Sequence, residues 1–201
     1  MLPPYVNEPF TDFSNPANVK AFQDGMAKVK ARLGETYPLV IGDQRIYLDD
    51  VFASINPARP NEVLGYFANG NASHADMAIE AATEAFRTWQ YTPAEERARH
   101  LLNAAAEMRR RKHEFNAVMV LEVGKSWAEA DADTAEAIDF FEYYARQMLR
   151  IANSDSLLVP YPNEQLNLQY IPLGVGAIIP PWNFANAILA GMTAAAIVAG
   201  N

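Results

Sequence analysis

Between residues 35 and 70 the apolar positions fall in short runs broken by turn residues, whereas from 73 to 151 they recur at three- and four-residue spacing. In the first region Leu39-Val40-Ile41, a Gly42-Asp43 turn and Ile46-Tyr47-Leu48 predict a hairpin. Val51 to Ile55, the Asn56-Pro57 loop and Val63 to Ala68 predict further short strands. Ahead of them Asn15-Pro16 reads as cap and first residue of a helix that runs to about Arg32 and stops at Gly34. In the second region Ser73 with Asp76 predicts a capping box and a helix to about Gln90, packed through Ala78, Ala81, Ala82, Ala85 and Trp89. Thr92, Pro93 and Glu95 predict a capped start for a helix through Arg99 to Arg111, with a break near Lys112-His113 and a second piece ending at Gly124-Lys125. Ser126 and Glu129 open a helix to about Ile151, with Trp127, Ile138, Phe141, Tyr144 and Met148 along one apolar side.

The pattern then changes twice. Leu157 to Val159 and Leu166 to Tyr170 bracket a turn at Tyr161-Pro162-Asn163-Glu164, a hairpin that reads as an oligomer contact or as a surface flap. From Val175 through Ala177, Ile178 and Ile179 the run is apolar without alternation, as in a strand covered on both faces of a parallel sheet. Pro180 and Pro181 stop it, and Ala185 to Ala199 predicts a helix that is apolar on nearly every side and therefore expects cover on every side. That helix is shorter than the ~20 residues a bilayer crossing needs. A strand, a turn and a crossover helix call for a further parallel strand. The pattern thus implies an α/β protein of which this chain is the N-terminal part.

Half of the residues are hydrophobic and 20% are charged, the balance of a globular protein. A net charge of −8 with 16 scattered Lys and Arg argues against a nucleic-acid partner and against an anionic membrane surface. The basic run Arg109-Arg110-Arg111-Lys112 reads as a solvated helix face. No cysteine is present, which rules out disulfides, thiolate metal sites and a cysteine nucleophile within these residues. The start MLPPYVNEPF lacks the basic end and apolar core of a secretory signal, so the expected location is cytoplasmic.

Several groups could carry chemistry. Gly174-Val175-Gly176 is a poor dinucleotide fingerprint, because Ile179 stands where a third glycine belongs and both glycines precede the strand. Glu129, Asp133 and Glu136 share one helix face, which reads as a solvated acidic stripe from which a single acid could meet an amine-bearing substrate. His74, His100 and His113 are scattered, and no metal site is expected. Trp182-Asn183-Phe184 follows the apolar run at the strand's carboxyl end, where open α/β sheets bind ligands. Asn183 can cap the next helix, the first reading of the tripeptide by itself, or its carboxamide can donate N–H bonds to a developing oxyanion.

Taken together these stretches resemble the aldehyde dehydrogenase superfamily, through Ile179-Pro180-Pro181-Trp182-Asn183-Phe184, the preceding Pro172-Leu173-Gly174-Val175-Gly176 and the following Gly200-Asn201. NEPFTDF at 7–13, YPLVIG at 37–42, MRRRKHEF at 108–115 and the run from Leu121 to Met148 are similar to its 1-pyrroline-5-carboxylate dehydrogenase branch. The resemblance implies helices and short strands over 1–152 as part of a cofactor-binding domain, an oligomerisation hairpin over 153–170, and the first strand, turn and helix of an incomplete Rossmann-like parallel sheet over 171–201. It implies NAD-dependent oxidation of L-glutamate γ-semialdehyde to L-glutamate in proline degradation, by a homo-oligomer. Asn183 matches the oxyanion-stabilising asparagine, and Ile179, Pro180, Pro181 and Trp182 match the segment lining NAD. Phe184 matches a wall of the aldehyde channel and Glu136 an acid near the substrate's amino end. The family's cysteine nucleophile, its general-base glutamate and a ribose-binding lysine have no match here, so the chain by itself is expected to be inactive. Ala185 stands where many relatives have proline. A short non-catalytic protein that binds a nucleotide or a homologous subunit, and a dehydrogenase for another semialdehyde, are the competing readings.

Overall fold

The computed structural model describes residues 2–153 and 158–201. Helix α1 (Pro16–Lys30) starts where Asn15 accepts the Ala17 N–H at 2.9 Å, with proline in the first turn. Five short strands follow: β1 (Glu35–Tyr37), β2 (Leu39–Ile41), β3 (Gln44–Ile46), β4 (Val51–Asn56) and β5 (Arg59–Ala68). Strands β2 and β3 form the expected hairpin, and Gly42, with φ +59°, supplies the left-handed residue its two-residue turn needs. The other sheet has the order β1-β5-β4, with β1 and β5 parallel and β4 and β5 antiparallel. Strand β5 begins at Arg59, ahead of the expected Val63, because Asn56 pairs with Arg59 across a tight loop.

Four helices fill the middle of the chain: α2 (Ala72–Trp89), α3 (Ala94–Arg110), α4 (Lys112–Glu122) and α5 (Trp127–Ala152). The break between α3 and α4 falls at Arg111, beside the expected position. Two starts differ from expectation. The cap of α2 is Asn71 rather than Ser73, with His74 Nδ1 accepting the Asn71 N–H at 3.1 Å in the place of a capping acid. Thr92 gives α3 no side-chain cap; its carbonyl instead accepts from the Arg97 guanidinium. The Ser126/Glu129 capping box of α5 forms as expected. The packed stripe expected on α2 does not: Ala78, Ala82 and Ala85 are exposed, and Ala81 and Trp89 are half-buried. That face opens on a groove of about 210 Å³ shared with Val175, Ile178 and the far end of the chain.

Helix α6 (Ala187–Val198) begins two residues later than expected. It packs on α3 and α5 in two adjoining clusters. One holds Met108, Ile138, Ala187 and Ala190, and the other holds Leu101, Ala145, Ala194 and Val198, with Phe141 against both. Alanines at the contacts let the helices approach closely. A Cβ on Gly191 would lie 2.7 Å from the Phe140 ring. Elsewhere among the described residues the helix is met by Trp89 of α2, whose Nε1 donates to the Ile197 carbonyl at 3.1 Å, and Leu189 and Met192 on the other sides are exposed.

No strand is assigned to residues 171–186, against the strand expected at Val175 to Ile179. A strand exists by its ladder, and that stretch has no pairing partner among the described residues; the parallel pair that forms is β1 with β5. In the expected hairpin the turn is present, with Asn163 at φ 63° and Glu164 N–H bonded to the Tyr161 carbonyl at 3.2 Å. No strand is assigned to 158–170 either, and Leu157, where the first leg was expected to start, lies outside the described residues.

The N-terminal arm is held down by α5. Asp139 accepts from Asn7 Nδ2 at 2.8 Å and from the Glu8 N–H at 2.7 Å, and Asp131 accepts from the Thr11 N–H at 2.7 Å. Tyr5 stacks edge-on to Tyr143, and burial together with neighbouring Asp139 pushes its phenol up to about 12. The basic run is not simply solvated. Arg109 pairs with Glu8 and Glu142, and Lys112 is buried against Asp131 at 3.0 Å.

Candidate active site

Where the arm, α5 and the start of α6 meet, a cavity of about 470 Å³ is lined by Phe10, Lys125, Glu129, Asp133, Glu136, Asp139, Asn183 and Phe184, with Ala132 in its floor. That volume is in the range of small-molecule sites. The acids of α5 reach it because they sit at helical spacing on one face, and Asn183 and Phe184 reach it from the turn before α6.

The four carboxylates are not equivalent. Glu129 is taken up by the Ser126 N–H and hydroxyl, which hold its carboxyl below the ordinary range. Asp139 holds the arm through Asn7 and Glu8. Asp133 is buried, so the stripe is not uniformly solvated; it accepts from Lys125 Nζ at 2.6 Å and from the Ala187 N–H at 2.7 Å. Glu136, half-buried, has no hydrogen bond or ion pair among the described residues. It is therefore the acid left to meet a cation from outside. No group of three His, Asp or Glu among the described residues is placed to hold a metal ion.

Asn183 does not cap the next helix. Its carboxamide has no hydrogen bond among the described residues, and the α6 cap position belongs to Asn186, whose amide contacts the Met108 sulfur. Asn183 is exposed, with both N–H donors available to a bound group. Phe184 forms the adjoining wall and carries the Lys125 ammonium 4.8 Å from its ring centroid. Just outside, Ile179 is 82% and Trp182 84% exposed, with Pro180 half-buried and Pro181 exposed between them. These four residues form an apolar stretch that leads directly into Asn183.

Residues 47–201 match the sequence model of the aldehyde dehydrogenase family. The chain belongs to that family. A 1-pyrroline-5-carboxylate dehydrogenase of Anoxybacillus flavithermus is 54% identical over all of this chain and 39% of the relative. A Thermus 1-pyrroline-5-carboxylate dehydrogenase crystallised with bound NAD superposes with a TM-score of 0.94 at 45% identity, over 100% of this chain and 39% of that one. The proline utilization A protein of Bdellovibrio bacteriovorus gives 0.89 at 38% identity, over 98% of this chain and 21% of that one. The chain thus spans about two-fifths of the length of the curated relatives it matches.

Of the residues singled out in the sequence of this family member, the structure brings Asn183, Phe184 and Glu136 to one cavity and leaves Ile179 to Trp182 outside its lining. Lys125, Phe10 and Asp139 were missed as lining residues. Lys125 carried one usable signal: it immediately precedes the Ser126 cap, from which a long side chain reaches an acid two turns into α5. For Phe10 no local pattern announces that the arm folds over α5.

Proposed function

We propose that the chain forms the amino-terminal part of an NAD-dependent 1-pyrroline-5-carboxylate dehydrogenase, oxidising L-glutamate γ-semialdehyde to L-glutamate in proline degradation. The observation that carries this reading is the unengaged Asn183 carboxamide sharing a cavity with the unpaired Glu136. The names of the similar proteins, including proline utilization A, point the same way.

The chemistry follows from these side chains. The aldehyde carbonyl lies against Asn183, whose N–H donors meet the oxygen as it gains negative charge; a neutral carboxamide does this without titrating. Glu136 attracts the α-ammonium of the semialdehyde and so turns its far end away from Asn183. Phe184 walls the aliphatic stem and excludes water from it. Exposed Ile179, Pro181 and Trp182, with half-buried Pro180 between them, suit cover by a flat cofactor ring, and these are the residues that would hold NAD. Bound there, NAD supplies the hydride acceptor. With no cysteine in this chain, the attacking thiolate comes from elsewhere in the protein. The reading extends to a cytoplasmic homo-oligomer, supported by exposed Val159, Tyr161, Tyr170 and Ile171 in one segment. No helix among the described residues is long and apolar enough to cross a membrane.

The test is NADH formation by the protein expressed from its whole reading frame. Asn183→Ala should lower kcat by roughly 100- to 1,000-fold, the cost of losing one such donor. Glu136→Gln should raise KM for glutamate semialdehyde while leaving KM for succinic semialdehyde, which has no amine, unchanged. Preferred turnover of succinic semialdehyde by the unaltered protein would overturn the substrate assignment.

A further inference from the structure

The turn that presents Asn183 has one backbone bond to its own helix, the Phe184 carbonyl accepting from the Ile188 N–H at 3.3 Å. Asn183 and Trp182 make no hydrogen bond among the described residues, and Asn186 does not cap α6. The first turn of that helix is tied down from another element. Asp133 of α5, with a fully buried side chain, takes the Ala187 N–H on Oδ1 at 2.7 Å, where a carboxylate also suits the positive end of the helix dipole. Its Oδ2 takes Lys125 Nζ at 2.6 Å, and the same ammonium rests on the Phe184 ring, 4.8 Å from its centroid. The turn is therefore gripped at two points, residue 187 behind Asn183 and residue 184 beside it. The distal end of α6 is gripped as well, with Arg97 Nε bonded to the Val198 carbonyl at 2.8 Å and Asn201 Oδ1 accepting from the Leu173 and Gly174 N–H groups. With both ends of α6 tied to other elements, its start sets where the carboxamide stands.

We propose that Asp133, acting through Ala187 and through Lys125 on Phe184, is the positioning residue that aims Asn183 at the reacting carbonyl oxygen. This rests on the reading of Asn183 as the oxyanion donor. Asp133 touches no reacting atom. Its effect is geometric, and displacement of a catalytic group by about 1 Å costs up to about 100-fold in rate.

A double-mutant cycle on the full-length enzyme decides the matter. Asp133→Asn keeps an acceptor for Ala187 but removes the charge that holds Lys125. It should lower kcat by about 10- to 100-fold with the KM for NAD unchanged. In an Asn183→Ala background the same substitution should change kcat less than about twofold, because the donor it aims is gone. An equal loss in both backgrounds, or no loss in the unaltered one, overturns the positioning role while leaving Asn183 as donor. An Asn183→Ala enzyme with full kcat overturns the donor reading, and the positioning role with it. If Asp133→Asn yields no folded protein, Lys125→Met runs the same cycle with the Asp133–Ala187 bond intact.

Discussion

Two buried aspartates lie two residues apart on α5, each facing a lysine, yet they hold different parts of the molecule. Asp131 gathers Lys112 and Asn116 of α4 and both the N–H and the hydroxyl of Thr11, so it closes the N-terminal arm onto the helices. Asp133 gathers Lys125 and the first turn of α6, so it faces the cavity. The difference arises from helix geometry. A shift of two residues turns a side chain about 200° around the axis, which sends neighbouring acids to opposite neighbours. One residue type, equally buried, thus serves cohesion on one side and alignment on the other, and the contacts decide which.

The comparison breaks most sharply at Asp131. Asp131→Ala takes the counter-charge from the buried Lys112 ammonium, leaving it only the Pro9 carbonyl and the Thr11 hydroxyl, and should cost about 3–5 kcal/mol in denaturant unfolding, with the arm becoming sensitive to protease. Burial pushes the Asp131 carboxyl up, but the Thr11 and Lys112 bonds more than offset this, and the net shift is below its ordinary 3.8. A folded value below the unfolded one means that its stabilisation is fully present above pH 3.8 and is lost as pH falls through the lower, folded value. The stability gap between the natural protein and Asp131→Ala should therefore close only at pH values below that point.

Smaller effects sharpen the same contrast at the two helix crossings. On the arm side a Cβ on Gly25 would meet the backbone of His113 at 2.9 Å, and backbone cannot rotate away. On the cavity side a Cβ on Gly191 would meet the Phe140 ring at 2.7 Å, and a ring can turn. Gly25→Ala should cost about 2–3 kcal/mol and Gly191→Ala about 1–2 kcal/mol in thermal unfolding, the range for overpacked cores. Smallest of all, Ser126→Ala removes the α5 cap beside Lys125 and should cost about 1 kcal/mol, read as a shift in the denaturant midpoint.

Much of this was legible without coordinates wherever the determining interaction is local. Asn15-Pro16, the Ser126/Glu129 box, the Gly42 turn and the break between α3 and α4 all depend on groups a few residues apart; the first three were found where the pattern put them and the break one residue ahead of the expected Lys112-His113. The two misplaced caps failed for an equally local reason. Asn71 and His74 form a box from residue types the usual acid-based pattern does not include, and the α3 cap position falls on Pro93, one residue past Thr92. The family, too, was legible, since the Ile179 to Phe184 turn and the stretches before it are contiguous.

By itself, then, the sequence determined the succession of elements, the family, and which side chains were chemically suited to a site: Asn183, Phe184 and one acid of α5. Only the tertiary structure decided that the acid without a partner is Glu136, that Asp133 and Lys125 brace the turn, and that the arm roofs the cavity with Phe10. It also decided that α2 leaves its alanine face open and that residues 175–179 lie outside any ladder among the described residues. The physical reason is range. Periodicity and caps are encoded within a turn or two of chain, whereas pairing between elements depends on which faces meet when helices pack, and many sequences satisfy the first condition without specifying the second.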